Sequence, residues 1–397
     1  MKLDEKLRGW WWHRQGLDGS LAGQPPHAVL ERSGWARSVG GVGPYLTLFA
    51  RAGTSREAAD AAVAALQIHE LPTARGCTYV LPASDFALGL RVAQPFDRGE
   101  MRTAEKLGVT DAEIEKLCDA VLKALGKTPL DPDTIRAAVG SASRNLGDEG
   151  KKRGMITTLP LALGRLQTRG DIRRVPVDGR LDQQRYKYVR WTPNPLAKSK
   201  TSIEEALTEL GRRFFRWIGP ATRKEFQEFA GLGVKGSKEA VAPLGLVPVE
   251  EDGDLLMLPD DAEAFHRFTA PAEPQYALVS SLDAIAAARR DIQRLLDDKD
   301  RKRTVLVEAK EGPLSGFYDL PNHAILDRGR LVGLWEFDVD SSSIVWTTFG
   351  VKKAKPLQQK IDEMEAFIRD QLGDARSFSL DSPKSRKPRI EALRRMA

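Results

Sequence analysis

Residues 164–188 constrain this chain more than any other stretch. Gly164-Arg165-Leu166-Gln167-Thr168-Arg169 reads as the end of a short helix, and Gly170 as its stop. Asp171-Ile172-Arg173-Arg174-Val175-Pro176-Val177 then predicts a strand, Asp178-Gly179 a hairpin turn, and Arg185-Tyr186-Lys187-Tyr188 the return strand. A helix followed by such a hairpin is the second half of a winged helix, and here arginines line the tip and flanks. Residues 141–200 hold 14 Lys/Arg against 5 Asp/Glu, in a chain whose net charge is only +6. Duplex DNA carries one negative charge per roughly 1.7 Å of its axis, so a concentrated positive wing points first to nucleic acid.

The 397 residues are enough for two to four domains with buried cores. No apolar run approaches the ~18 residues needed to span a bilayer, which excludes an integral membrane protein of the helical kind. The start, Met1-Lys2-Leu3-Asp4-Glu5-Lys6, lacks the apolar core of a signal peptide, so a cytoplasmic location is expected. Cys77 and Cys118 stand far apart without a Cys-x-x-Cys pattern, which argues against a structural zinc site or a disulfide framework.

Three similar units follow one another. The first (1–105) has helices at Asp4–Leu17 and His27–Arg32, a glycine loop Val39-Gly40-Gly41-Val42-Gly43-Pro44, and a helix opened by Thr54-Ser55-Arg56-Glu57 that runs to about His69. A strand at Arg75–Pro82 completes a strand pair. Trp10-Trp11-Trp12 fits a helix that buries two indoles and leaves one at the rim. The second unit (106–200) has helices from Thr110 and Asp131, then Lys151-Lys152-Arg153, a candidate recognition helix Thr158–Arg169, and the basic wing. The third (201–270) is a helix-turn-helix by spacing: Ser202–Trp217, Thr222–Ala230 and Lys238–Leu244, with a hairpin across Asp252-Gly253. Glu250, Glu251, Asp252 and Asp254 make this last wing acidic, so it is expected to pack or orient while the second unit binds. A β-rich region (275–355) contains the hairpin Gly329–Phe337 and Ile344–Trp346, with Leu331, Trp335, Phe337 and Val339 on one face. A helix at Leu357–Leu372 and a mobile basic tail from Ser382 close the chain (356–397). The fold class is therefore mainly α with small β-sheets: three tandem winged-helix units, then a β-rich end.

Five strings occur together in order: Arg14-Gln15-Gly16-Leu17; Pro44-Tyr45-Leu46-Thr47-Leu48-Phe49-Ala50-Arg51; Arg75-Gly76 with Leu81-Pro82-Ala83-Ser84-Asp85; Gly219-Pro220-Ala221-Thr222; and Gly329-Arg330-Leu331-Val332-Gly333. With the three units, they make the chain resemble the AlkZ/YcaQ family of crosslink-repair DNA glycosylases over about residues 5–350. The resemblance implies a C-shaped protein around duplex DNA, with the first unit central, no cofactor and no metal. It also implies a Gln-hydrophobic-Gln or Gln-hydrophobic-Asp motif that holds water against the glycosidic carbon of an alkylated base. N7-alkylation makes a purine a good leaving group, so an oriented water and a modest base are enough.

This sequence departs from the family at that motif. The position falls at Ser33-Gly34-Trp35, and no glutamine or aspartate lies between Pro26 and Pro44. The family's histidine after Arg-Gly is replaced by Tyr79. Ser33 can hold a water but is a poor base, and Glu31, one turn away, is the other catalytic candidate. Glu31 also reads as a solvated helix residue, and His69 as a helix C-terminal one. Around a base and its phosphates the candidates are Trp35, Arg37, Tyr45, Arg51, Arg75 and Tyr79. Trp35 and Tyr45 also read as core aromatics, Arg37 and Arg51 as surface arginines. On the second unit the candidates are Lys151, Lys152, Arg153, Arg165, Arg169, Arg173, Arg174 and Arg180. The expectation is a monomeric, double-stranded-DNA-binding protein with no membrane partner, related to alkyl-base glycosylases and either active or catalytically silent. The alternatives are a sequence-specific transcriptional regulator that reads DNA through Thr158–Arg169, and a protein-interaction scaffold that uses the acidic third wing.

Overall fold

The computed structural model describes residues 2–126, 128–183, 185–307, 310–351 and 354–396. The chain begins with α1 (Leu3–Arg14), α2 (Pro26–Ser33), β1 (Ala36–Arg37), α3 (Gly43–Ala52) and α4 (Arg56–Ala64). β2 (Ile68–Pro72) and β3 (Thr78–Pro82) then form an antiparallel sheet in the order β1-β3-β2. Ser55 caps α4, its side chain accepting from Ala58 N at 3.1 Å. The helix does not reach His69. Leu66 turns left-handed at φ 54°, and His69 lies in β2 opposite Leu81. The sheet has three strands because β1, only two residues long, pairs with Tyr79 and Val80.

α5 (Phe86–Ala93) and α6 (Asp97–Glu105) lead to α7 (Asp111–Ala124), α8 (Pro132–Val139), α9 (Gly147–Lys152) and α10 (Leu159–Thr168). β4 (Ile172–Pro176) and β5 (Tyr186–Arg190) form the hairpin that closes this region. Thr110 and Asp131 cap α7 and α8. Next come α11 (Ile203–Ile218), α12 (Arg223–Ala230), α13 (Val234–Val241), β6 (Val247–Pro248), β7 (Leu256–Met257) and α14 (Pro259–Arg267). Full capping boxes, Ser202 with Glu205 and Thr222 with Glu225, start α11 and α12.

β8 (Tyr276–Val279), α15 (Ala284–Ala287), the pair β9 (Thr304–Val307) and β10 (Lys310–Pro313), and β11 (His323–Asp327), β12 (Arg330–Asp338) and β13 (Ser343–Thr348) follow. The four-stranded sheet runs β13-β12-β11-β8. A bulge opposite Ile325/Leu326 splits the face expected for β12. Leu331 and Leu334 pack to one side, and Val332, Trp335 and Phe337 to the other. α16 (Lys355–Phe367) and α17 (Pro383–Met396) finish the chain.

The segment from Ser382, expected as a mobile tail, is instead a docked helix. Arg386 is buried and pairs with Asp374 at 2.6 Å, and Ile390 and Leu393 are buried beside it. All three tryptophans of α1 are buried, none at a rim. The indole N–H groups of Trp10 and Trp11 donate to the carbonyls of Gly219 and Pro220, at 3.0 and 3.1 Å, which docks α1 on the end of α11.

One apolar cluster draws only on residues 101–188. The others are shared: the first sheet packs with α11 and α12, and α3 packs with the four-stranded sheet and α16. The architecture is mainly α with small sheets, and among the described residues no helix is long and apolar enough to cross a membrane.

Candidate active-site cavity

Where α2 ends, Gly34 takes φ 103°, a conformation that favours glycine, and a Cβ there would lie 3.2 Å from the Trp217 ring. The chain thus turns closely over α11 and opens a cavity of about 340 Å³. Ser33, Gly34, Trp35 and Arg37 form one side, and Arg75, Cys77 and Tyr79 a second. Phe214, Trp217, Ile218 and Phe229 of α11 and α12 make the floor. Leu282, Ala284, Ala287, Ala288, Arg290, Asp319 and Phe378 complete the wall from the far end of the sequence. Gly41 lets this distant segment approach. A Cβ there would lie 2.3 Å from the Ser377 carbonyl, and Val42 N donates to Arg376 O at 3.0 Å.

The aromatic groups are held by buried polar partners. Trp35 donates through Nε1 to Asp85 at 2.8 Å and meets Trp217 edge-on at 5.3 Å between ring centres. Burial pushes the Asp85 carboxyl above its ordinary range, against the opposing pull of the Trp35 hydrogen bond and Arg213. Trp217 donates to Glu31 O at 3.0 Å. Gln15 is fully buried and donates to the carbonyls of Ser33 and Trp217, at 2.8 and 3.0 Å. Gln15 therefore positions two cavity residues while it touches no part of the open space.

Of the two catalytic candidates, only Ser33 lines the cavity. Its Oγ donates to Val29 O at 2.8 Å, a helix back-bond that leaves it an acceptor only. Glu31 is exposed outside the cavity, where Oε1 accepts from Ser84 at 2.7 Å. Trp35, Arg37, Arg75 and Tyr79 come together at the cavity; Tyr45 and Arg51 do not. Tyr45 is buried with its hydroxyl between Asp60 and Leu181 N, and burial raises its pKa strongly. Arg51 is enclosed and paired with Asp283 at 2.7 Å, so its charge is spent inside the protein. His69 is buried against Trp191 and Phe86, and burial, with Arg173 and Arg174 nearby, pushes it down to about 3.

The second-unit cations divide. Arg165 is buried and paired with Asp111 and Glu115, and Arg169 shares Glu115. Two guanidinium hydrogen bonds hold the Glu115 carboxyl down at about 2. Arg180 pairs with Asp182, and Arg174 stands 3.8 Å from Glu70 and stacks over Tyr186. Lys151, Lys152 and Arg153 are exposed, with Lys152 in a surface pair with Glu149, and Arg173 is half-buried. α10 presents little to solvent, since Leu159, Leu161 to Leu163 and Arg165 to Thr168 are buried.

Gln15, Asp85, Trp217, Arg290, Asp319 and Phe378 were not marked by spacing. Only Gln15 and Asp85 lay inside strings already singled out. Among the described residues, no group of three His, Cys, Asp or Glu side chains is placed to hold a metal ion.

The profile of the family "DNA glycosylase AlkZ-like" matches residues 42–367. The solved structure of the Streptomyces sahachiroi DNA glycosylase AlkZ is similar in fold, with a TM-score of 0.70 at 18% identity, covering 94% of this chain and 97% of that one. No curated protein sequence matches the chain.

Proposed function

The chain belongs to the AlkZ-like DNA glycosylase family, and from that premise we propose that it is a DNA repair protein that seats an everted base in the cavity beside Ser33, Trp35 and Tyr79. One observation carries this: the position of the family's water-holding motif, Ser33-Gly34-Trp35, lines an aromatic cavity of about 340 Å³. That volume falls within the roughly 300–1,000 Å³ of small-molecule sites, and faces such as Trp35 and Tyr79 suit a flat base. The three helical units, each of which contains an antiparallel hairpin, we take as winged helices. Duplex binding then falls to the second, through Lys151, Lys152, Arg153 and Arg173. The exposed Glu250, Glu251, Asp252 and Asp254 keep the third hairpin off phosphates.

Recognition is better supported than hydrolysis. Ser33 can accept a hydrogen bond from water but take no proton, and Glu31 lies elsewhere. A second reading, residual base release, has one observation in its favour: Asp319 is the single carboxylate among the cavity-lining residues. A regulator that reads bases through α10 has little support, because that helix buries most of its side chains. The test is binding to, and base release from, duplexes that carry neutral, N7-alkylated or crosslinked damaged bases, beside Asp319→Asn. Tight binding without release supports recognition alone. Release that Asp319→Asn abolishes supports the second reading. Absence of duplex binding refutes both.

A further inference from the structure

Buried arginines in this protein are paired: Arg51 with Asp283, Arg165 with Asp111 and Glu115, Arg289 with Glu225 at 3.5 Å. Each of these shares its charge with a carboxylate even where its Nε is unbonded, whereas Arg37 and Arg75, half-buried at the cavity, have no carboxylate partner among the described residues. Arg37 Nη1 and Arg75 Nε are sealed from solvent without a hydrogen-bond partner. Among the described residues neither side chain has an ion pair, and the contact Arg37 makes is over the Tyr79 ring, at 5.1 Å. Arg75 is held there by a left-handed backbone, φ 59°. A third guanidinium, Arg290, also lines the space and meets Asp319 at 3.5 Å. Three cations thus face one carboxylate over an apolar floor.

A sealed guanidinium nitrogen beside an apolar surface is costly until an acceptor meets it. We infer that the base seated here is neutral and presents carbonyl or ring-nitrogen acceptors to Arg37 and Arg75, and that the cavity disfavours a cationic alkylpurine. This rests on the everted-base reading and assigns its ligand class. An N7-alkylpurine carries a full positive charge on its ring, and three guanidiniums would repel it in a partly dry space. A neutral lesion supplies the missing acceptors. The same donors could serve a backbone phosphate beside the everted nucleotide, and the experiment separates the two sources.

The test uses the full chain and three duplexes of one sequence: undamaged, carrying 1,N6-ethenoadenine (neutral), or carrying 2′-fluoro-7-methylguanine (cationic and resistant to cleavage). Affinity is read by anisotropy, and entry of the base by quenching of tryptophan emission. The expected result is a neutral-over-cationic preference of about tenfold or more. It should fall to near unity in Arg37→Gln/Arg75→Gln and persist in Arg37→Lys/Arg75→Lys. Equal or tighter binding of the cationic duplex overturns the inference. So does a uniform loss across all three duplexes in the Gln variant, which would assign the arginines to a phosphate. Saturated binding with no tryptophan response in any duplex refutes the everted-base reading itself.

Discussion

Arg51 and Asp283 form a bidentate ion pair, at 2.7 and 2.8 Å, with both side chains fully enclosed. The pair joins α3 to the turn before α15, where Asp283 also accepts from Ile285 N, and Gln15 accepts a further hydrogen bond from Arg51 at 2.7 Å. Removing one partner strands a buried charge, which typically costs about 3–5 kcal/mol. Arg51→Met is therefore expected to lower the urea midpoint sharply. The salt dependence of DNA binding should not move, because this guanidinium faces no phosphate.

Binding to DNA should depend on salt less steeply than the count of arginines suggests. Arg165, Arg169, Arg174 and Arg180 have acidic partners within the protein. With about four cations left for phosphates, raising salt from about 50 to 200 mM should weaken binding about 10²-fold, against about 10³ for six. Titrations at four salt concentrations give the slope directly.

His69 should make stability fall on the acid side. The unfolded chain takes up a proton near the ordinary value of 6.5, while the buried ring stays neutral down to about 3. Stability from this group is complete above 6.5 and is lost as pH falls through that window, by about 1.4 kcal/mol per pH unit. Urea unfolding of His69→Leu between those values should show a shallower slope than the parent chain.

Glu31→Ala should change duplex affinity by less than about twofold, since substitutions at exposed sites rarely exceed about 0.5 kcal/mol. The carboxylate serves a surface hydrogen bond to Ser84 and lies outside the cavity. A larger loss would return Glu31 to the site.

Local signals in the chain were legible where caps and periodicity agreed, as at Thr110, Ser202 and Thr222, which do start helices. Two readings failed, one from weighing charge before pattern and one from carrying a helical pattern past its stop. Ser382-Pro383 is a cap followed by proline at the first helical position, and Ile390 and Leu393 lie on one face, yet Lys384, Arg386, Lys387, Arg389, Arg394 and Arg395 suggested a solvated tail. The alanine-rich helix was carried on to about His69, whereas the left-handed Leu66 ends it and Ile68 to Pro72 form a strand. The cavity was half legible. Ser33, Trp35, Arg37, Arg75 and Tyr79 lie in or beside marked strings, but Arg290, Asp319 and Phe378 arrive from more than 200 residues away through packing that no local pattern encodes.

The most direct test of the central claim is a crystal structure of the chain bound to a duplex that carries one cleavage-resistant damaged nucleotide. That base is expected out of the helix, in the cavity, against Trp35 and Tyr79, with Lys151 and Arg153 on the backbone. A base still stacked in the duplex, with the cavity turned away from the DNA, would contradict it.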